Sequence, residues 1–552
     1  MVTDMISRFT RGITLGIALL TGTVHAQSSG LGSEFAAFSS QPQLRLPIII
    51  QYKAAPGTAD LSKLNTLGAT LTHQFNIIPA VSTQLSISGI LTLLFDENVF
   101  FISLDRTIAG TLDTANQAVN SAAAAQYGLD GSGIGIAIID SGIYAHPDLR
   151  TANGKSSRVV YHESFVDGTT ADDYGHGTHV AGIVAGNGAA SKAFHGIAPG
   201  AHLIDLKVLN SQGGSSDAIV LAALERAVHL KATYNIRVIN LSIGRPVLES
   251  YRYDPLCRAV EAAWKAGIVV VAAAGNLGRN GNATILSPAN DPYVITVGAM
   301  KTLGTGPRGD DLVASYSSKG PTFLDTVVKP DIVAPGNLVG SLLAPSSAIV
   351  EQYPGNVLNS SYLRLSGTSM ASPMVAGAVA LLLQGDPTLT PDQVKARLMR
   401  TAFKSFPATS VAYDSTTNQA FVSTYDMFTV GAGYLDIAAA LNDHAKTLGV
   451  SLSPTAVYSA TTHQASLIVD PTSTFAKSGP AATWSALMLQ GDPSAGYSIA
   501  GAYAAWGTYA AWGTYAAWGT SANWSNYAAW GTYAAWGTYA AWGTNVQGGG
   551  EK

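Results

Sequence analysis

Three short segments of the chain each carry one chemically active side chain within a run of small residues. They hold a carboxylate at Asp140, an imidazole at His176 and a hydroxyl at Ser369. A serine hydroxyl is a weak nucleophile at neutral pH. It becomes reactive when a neighbouring base takes its proton and a buried anion orients that base. The order Asp–His–Ser with long spacers therefore predicts one site in which Ser369 is the nucleophile.

The sequence around each residue predicts the element that positions it. Asp140 ends the apolar run 134–139, which is typical of a strand buried on both faces. His176 opens a run of small residues, and Ser369 precedes the apolar run 375–383, so both are predicted at the start of a helix. At a helix N-terminus the dipole and the backbone N–H groups favour developing negative charge, which suits the nucleophile.

Together these segments resemble the active-site motifs of the subtilisin-like serine peptidases (subtilases, peptidase family S8). The resemblance covers residues 46–445. It implies a serine-type endopeptidase that hydrolyses polypeptides through an acyl-enzyme, with no cofactor required for the chemistry.

The resemblance also implies roles for residues outside the three segments. Asn276 would donate its side-chain amide to the oxyanion, a role that favours the transition state over the ground state. The segment Ser242, Ile243 and Gly244 would pair with the substrate backbone, a binding mode that tolerates many side chains. Small and apolar neighbours of this segment favour an uncharged substrate residue before the scissile bond.

The sequence contains residues that could form a calcium site or a zinc site. Asp148 matches a position that binds calcium in many subtilases, but the loop 186–196 that would complete the site offers only Asn187 as an obvious side-chain ligand. Structural calcium and a solvated carboxylate both remain open. His176 and His179 have zinc-like spacing, yet the glutamate of a His-Glu-x-x-His site is absent.

Composition excludes several other classes of protein. The chain has 552 residues, 12% of them charged, and a formal net charge of −4, which offers no electrostatic footprint for nucleic acid. Its 57 glycines and 47% apolar residues are typical of a globular enzyme with many tight turns. Cys257 is the single cysteine, so no intramolecular disulfide can form.

The N-terminal residues 1–26 have the pattern of a secretory signal peptide. Arg8 and Arg11 precede the mostly apolar stretch 12–24, and Val24-His25-Ala26 offers a small-residue cleavage site. The alternative is a membrane anchor, but the stretch is shorter than the roughly 20 residues that span a bilayer. We therefore expect a secreted protein, extracellular or associated with a cell surface.

Residues 27–112 are predicted to form an inhibitory propeptide. Their core, 46–108, has the β-α-β-β-α-β order of a ferredoxin-like fold, and the resemblance to subtilases implies that it is the enzyme's own inhibitor. The alternative is an N-terminal domain that is never removed. The small polar stretch 109–125 is predicted to be an exposed, cleavable linker.

Residues 113–445 alternate strands with helices, which predicts an α/β fold with a mostly parallel sheet in three layers. In such sheets the active site lies beyond the carboxyl ends of the strands, where Asp140 is placed.

The C-terminal part of the chain has a different character. Residues 446–502 are interpreted as a linker or a small β module, and 545–552 as a tail. Between them, 503–544 repeat Tyr-Ala-Ala-Trp-Gly-Thr without any charge. An even period keeps tyrosine and tryptophan on opposite faces of a strand, which favours self-association or binding to a cell surface. A structureless low-complexity segment is the alternative.

The pattern as a whole predicts a secreted serine endopeptidase made as an autoprocessed zymogen. Serine-carboxyl peptidases share the serine segment but place a glutamate where His176 stands, so the histidine argues against them. A surface adhesin or self-assembling protein, in which the repeats carry the main role, is the remaining alternative.

Overall fold

The computed structural model resolves the protein into two compact units, Met1–Ile108 and Ala109–Lys552. The residues that it describes are 35, 42–75, 78–104, 111–190, 194–414, 419–459, 464–478, 483, 489–490 and 497–499. The predicted signal peptide, the hexapeptide repeats and the tail lie outside these residues.

The first unit is a four-stranded antiparallel sheet with two helices. Its elements are β1 Arg45–Tyr52, α1 Thr58–Thr66, β2 Thr70–Gln74, β3 Ala80–Ser86, α2 Ile87–Leu93 and β4 Val99–Leu104. The strand order β2-β3-β1-β4 is the ferredoxin-like arrangement that the sequence predicts. Ile48, Ile50 and Ile102 form its core because alternate residues of a strand share one face.

The second unit is built on an eight-stranded, mostly parallel sheet. Its strands are β5 Gly135–Asp140, β6 Val159–Ser164, β7 His202–Lys207, β8 Ile236–Leu241, β9 Val269–Ala273, β10 Ile295–Lys301, β11 Leu312–Val313 and β12 Ile332–Pro335. The order is β11-β10-β9-β8-β5-β7-β6, β12 also pairs with β10, and only the short β11 is antiparallel. The predicted α/β fold is therefore confirmed.

Two pairs of helices pack on this sheet. The described helices of the unit are α3 Thr111–Ala118, α4 Ala123–Gln126, α5 His176–Ala185, α6 Asp217–Leu230, α7 Pro255–Lys265, α8 Ala348–Gln352, α9 Thr368–Gly385, α10 Pro391–Thr401, α11 Ile437–Asn442 and α12 Thr474–Ser478. Helix α5 packs on α9, and α6 packs on α7. Helix α9 is long and apolar enough to span a membrane, but nearly all of it is buried in this core.

Two small antiparallel sheets complete the part that carries the site. They are β13 Val339–Leu342, β14 Val357–Asn359 and β15 Tyr362–Leu365, and the hairpin β16 Thr409–Asp414 with β17 Gln419–Thr424. Both lie in stretches for which the sequence predicted no strand.

The stretch predicted as an exposed linker, 109–125, is largely helical. Ala115, Ala118 and Val119 are buried in the core of the second unit, so most of this stretch belongs to the folded domain. The prediction was wrong because small residues favour close packing as readily as exposure. Residues 105–110 lie outside the described part of the chain.

The range interpreted as a linker or small β module contains a sheet of β18 Thr455–Ser459, β19 Gln464–Ile468, β20 Leu489–Gln490 and β21 Tyr497–Ile499. Its first strand is joined to the core by backbone hydrogen bonds from Val328 to Pro454 and from Ala456 to Thr326. The fully buried Lys395 and Asp331 also bind the Ser453 hydroxyl. This segment is therefore packed into the second unit.

Candidate active site

Asp140 and His176 form a buried hydrogen-bonded pair at the carboxyl end of β5. His176 Nδ1 lies 2.8 Å from Asp140 Oδ1 and 3.0 Å from Oδ2, and both side chains are almost inaccessible to solvent. The pair needs Gly177, because a Cβ there would lie 2.3 Å from the Gly142 carbonyl oxygen. The hydrogen bond from His176 Nδ1 to Asp140 sets the imidazole tautomer in which Nε2 is the basic nitrogen.

Asp172 braces the pair, and the sequence had not assigned it this role. Its Oδ1 accepts from the Ser141 hydroxyl and the Gly175 N–H, both at 2.7 Å, and its Oδ2 accepts from the Thr178 N–H at 2.8 Å. Ser141 in turn accepts from the Gly177 N–H. Burial raises the pKa of Asp172, although these hydrogen bonds oppose the shift. The sequence signal that points to it is an acidic residue shortly before a helix start, where the helix dipole favours a negative charge.

Ser369 lies in the first turn of α9, as predicted, with only 5% of its surface exposed. Its Oγ donates to the Ser242 carbonyl oxygen at 3.1 Å. Among the described residues, the buried His176 Nε2 has no hydrogen-bond partner. Of the two hydrogen bonds expected in the Asp–His–Ser arrangement, the one between Asp140 and His176 is formed and the one between His176 and Ser369 is not. The Ser369 hydroxyl can rotate, and hydrogen bonds between a catalytic hydroxyl and its base often form fully only when substrate binds.

Asn276 follows β9 and is tied to the residue before the candidate nucleophile. Its Oδ1 accepts from the Thr368 N–H at 2.8 Å and from the Thr368 hydroxyl at 3.0 Å. Because the amide oxygen is held in this way, the orientation of the amide nitrogen is fixed. A Cβ on Gly367 would lie 3.1 Å from that nitrogen, so glycine leaves room beside it.

The segment Ser242, Ile243 and Gly244 follows β8 and is buried. Ser242 is central to the hydroxyl network: its Oγ donates to the Ser369 carbonyl at 2.9 Å and lies 2.9 Å from Ser372 Oγ. Sequence reasoning missed Leu286, which is half-buried between this segment and Gly275. A Cβ on Gly275 would lie 2.6 Å from Leu286 Cγ, and one on Gly244 would lie 3.0 Å from Leu286 Cβ.

The calcium candidates do not fit a metal site. Asp148 Oδ2 accepts from the Tyr362 hydroxyl at 2.6 Å, and Oδ1 accepts from the Ala190 N–H at 2.7 Å. The Asn187 amide nitrogen donates to the Arg150 carbonyl oxygen, and its Oδ1 accepts from the Ala189 N–H. The side-chain oxygens that would bind calcium are thus already hydrogen-bonded within the protein. Among the described residues no three His, Cys, Asp or Glu side chains cluster as a metal site.

His179 does not share a ligand with His176. Its Nε2 donates to the carbonyl oxygens of Val339 and Leu363, at 3.1 and 3.2 Å. Burial, aided by the neighbouring His176, lowers the pKa of His179 to about 3, so its ring is neutral. His179 therefore joins helix α5 to the sheet of β13 and β15 through these two hydrogen bonds.

Comparison with known proteins identifies the family. The Subtilase family model matches residues 131–433. Serine protease AprX of Bacillus subtilis (strain 168) is 41% identical over 340 residues, which span 59% of this chain and 74% of that protein. The alkaline protease of Alkalihalobacillus alcalophilus is 35% identical over 357 residues, 64% of this chain and 81% of that one. A crystal structure of a cold-adapted subtilisin-like serine proteinase covers 50% of this chain and 85% of its own, with 28% identity and a TM-score of 0.39.

The chain therefore belongs to the subtilase family. It is a serine-type endopeptidase with a subtilisin-like fold, and the subtilase reaction needs no cofactor.

Proposed function

We propose that this protein is a secreted subtilase zymogen in which Ser369, His176 and Asp140 carry out peptide-bond hydrolysis. The observation that carries the proposal is the buried His176 ring, held through Nδ1 by Asp140 while Nε2 has no partner among the described residues. This is the state in which an imidazole accepts a proton at Nε2.

The hydroxyl network suggests how substrate completes the site. Ser369 rests on the Ser242 carbonyl, and that carbonyl belongs to the segment proposed to pair with the substrate backbone. A substrate N–H that bonds to Ser242 would displace the hydroxyl, which then donates to His176 Nε2. Peptide binding would thus favour the alignment of the Ser369 hydroxyl with His176.

The reaction then follows in two halves. Ser369 Oγ attacks the scissile carbonyl carbon while its proton passes to His176 Nε2, and the carbonyl oxygen becomes an oxyanion that accepts from the Asn276 amide. His176 returns the proton to the leaving amine as the acyl-enzyme forms. Water then attacks the ester carbonyl carbon while its proton passes to His176 Nε2. The bond from that carbon to Ser369 Oγ breaks, His176 returns the proton to Oγ, and the acid product leaves and ionises to the carboxylate.

Labelling with a serine-directed fluorophosphonate tests these roles. The full chain and Ser369→Ala are expressed side by side. Ser366→Ala is the matched control, because in the described part of the chain the Ser366 hydroxyl accepts from the Leu338 N–H and makes no hydrogen bond with His176. We expect labelling of the wild type and of Ser366→Ala, and none of Ser369→Ala. Undiminished labelling of Ser369→Ala would assign the nucleophile elsewhere.

The zymogen proposal rests on the N-terminal unit and the signal-like sequence. The ferredoxin-like unit ends at the boundary Ile108, close to where the propeptide is predicted to end. Because α3 is packed in the core of the second unit, the processing bond should precede Thr111. N-terminal sequencing of the secreted product tests this site, and equal shortening of wild type and Ser369→Ala would contradict autoprocessing.

A second role is suggested by the repeats at 503–544. Their uncharged aromatic pattern is one that binds surfaces or other copies of itself. The chain without residues 503–552 should then cleave casein as the full chain does but fail to stay on the cell surface. Equal retention of both forms would leave the repeats without this role.

A further inference from the structure

Arg158 is a buried cation surrounded by main-chain oxygens. It stands just before β6 with 7% of its surface exposed. Its guanidinium donates to four carbonyl oxygens from separate parts of the chain, at 2.5 to 3.0 Å: those of Asp148, Arg150, Ala185 and Ala201. Its own backbone is also fixed, because the Arg158 N–H donates to Leu149 and its carbonyl accepts from Leu203.

Two carboxylates attract this guanidinium, that of Asp130 and that of the fully buried Asp148. Burial lowers the pKa of Arg158 to about 10, and attraction to Asp130 and Asp148 opposes that shift. The guanidinium therefore keeps its proton at neutral pH. A buried carboxylate is costly without a nearby cation, and Arg158 places one at the main-chain oxygen of the same residue.

This arrangement has the composition of a calcium site. Calcium in proteins is held by carbonyl and carboxylate oxygens from a flexible loop. Here carbonyls converge beside a buried carboxylate, but the planar five-donor guanidinium occupies their centre, and its geometry is rigid.

We propose that Arg158 replaces calcium as the cation of this region, so that the peptidase domain needs no metal at Asp148 and Asn187. Arg158 contacts helix α5 at its C-terminus, the end opposite His176. Ala185, whose carbonyl it binds, ends the helix that His176 begins. A cation at a helix C-terminus is also favoured by the dipole.

Thermal unfolding of the full chain, inhibited with phenylmethylsulfonyl fluoride to prevent autolysis, provides the first test. We expect the same Tm in excess EDTA and in calcium chloride. A calcium-dependent rise that persists in Asn187→Ala would come from another site and leaves the proposal standing. A rise that Asn187→Ala abolishes would overturn it. Neither result depends on the catalytic roles proposed above.

Substitution of the arginine provides the second test. Arg158→Met keeps the side-chain bulk but leaves four carbonyls without their donors, so Tm should fall by roughly 10 °C. Arg158→Lys keeps the positive charge but has fewer hydrogen-bond donors, so its Tm should fall by less than that of Arg158→Met. Arg150→Met is the matched control, because the Arg150 side chain is exposed and its guanidinium donates to the Gly154 carbonyl oxygen. Equal Tm values for Arg158→Met and Arg150→Met would overturn the proposal, and if Arg158→Met fails to fold, the metal titration decides.

Discussion

The side-chain amide of Asn276 is held in one orientation. Thr368 donates to its oxygen twice, which also fixes the position of the nitrogen that we propose as the donor to the oxyanion. A donor fixed in advance needs no reorganisation during the reaction, which is why such groups contribute strongly to catalysis.

Asn276→Ala should therefore lower kcat with little change in KM. The reference for the size of the effect is subtilisin, a member of this family, in which loss of the oxyanion donor costs about 100- to 1000-fold. Asn280→Ala, an exposed asparagine four residues further along, is the control and should retain full activity. Steady-state kinetics on a peptide anilide measures both, and a change confined to KM would speak against the role.

Leu286 lies against Gly275 and against Gly244, which belongs to the segment proposed to pair with the substrate backbone. We therefore predict that Leu286 limits the space for the substrate side chain before the scissile bond. Substrates with a small residue there should be preferred. Leu286→Ala should raise kcat/KM for phenylalanine over alanine at this position by about tenfold.

The control for this change is Leu221→Ala, a partly buried leucine on α6. Its ratio of kcat/KM values for the two substrates should equal that of the wild type. An unchanged ratio in Leu286→Ala would mean that the leucine does not line the substrate path.

Asp311 gives the second unit a pH dependence that is independent of catalysis. One oxygen accepts from the Tyr434 hydroxyl at 2.7 Å and the other is buried without a partner among the described residues. Burial raises the pKa of Asp311 to about 8, against about 3.9 in an unfolded chain. The folded state thus binds the proton more tightly. This stabilisation is complete below pH 4 and is lost as pH rises towards 8.

Asp311→Asn removes the titration while keeping a neutral group. Its Tm should fall less than the wild-type Tm between pH 5 and 8, by several degrees, and the difference should stop growing above pH 9. Asp310→Asn, at the exposed neighbouring carboxylate, should follow the wild-type curve. Parallel curves for Asp311→Asn and wild type would contradict the assignment.

At the scale of elements, the start of α5 depends on one buried carboxylate. Asp172 joins the turn after β5, through Ser141, to the first turn of the helix, through Gly175 and Thr178. The two residues of the Asp140–His176 pair come from these two elements. Their mutual orientation therefore depends on a residue that touches neither.

Asp172→Asn should misalign the pair without removing it. An amide can accept on one side only, so its NH2 group would face N–H donors. We expect kcat to fall about tenfold or more while KM is preserved, and Tm to fall by several degrees. The neighbouring half-exposed Asp173 binds only Lys207 through its carboxylate in the described structure, so Asp173→Asn is the matched control. An unchanged kcat in Asp172→Asn would show that the brace is dispensable.

Much of this arrangement is readable from the sequence. The strand predicted from the apolar run 134–139 and ending at Asp140 agrees with β5 to within a residue, because a strand covered on both faces is a continuous apolar run. Thr390 and Pro391 are typical of a helix start, and α10 begins there; the structure adds a capping box between Thr390 and Gln393.

The remainder depends on contacts between distant parts of the chain. No local pattern shows that Arg158 binds Ala185, that Leu286 lies against Gly275, or that the Ser369 hydroxyl turns to Ser242 rather than to His176. The helical stretch 111–118 was misread for a related reason, since its burial is decided by what packs on it. The catalytic roles themselves remain predictions until they are measured.

At the scale of the whole molecule, the C-terminal segment helps to close the core. Ser453 binds Asp331 and Lys395, two fully buried charges, and Phe475 is buried nearby in sequence. Burial lowers the pKa of Lys395 to about 7, and the attraction of Asp331 opposes this shift. Removing Ser453 would leave these charges less well paired, which is strongly destabilising in a protein interior.

Truncation separates this role from that of the repeats. A chain that ends after Ile499 should keep the wild-type Tm, whereas one that ends after Leu448 should melt at least roughly 10 °C lower or fail to accumulate. Ser453→Ala in the full chain tests the same contact with a smaller expected loss. Equal stability of the two truncated chains would mean that 449–499 is an independent appendage.

The bond between Asp331 and Ser453 spans 122 residues of chain. A nascent polypeptide leaves the ribosome N-terminus first. Asp140, His176 and Ser369 all emerge before Ser453. The three candidate catalytic residues are therefore present before Ser453 can bind Asp331 and Lys395. The nascent chain therefore passes through an interval in which all three candidate catalytic residues have been synthesised but the hydrogen bond between Asp331 and Ser453 cannot yet form, and this interval ends only after Ser453 has emerged.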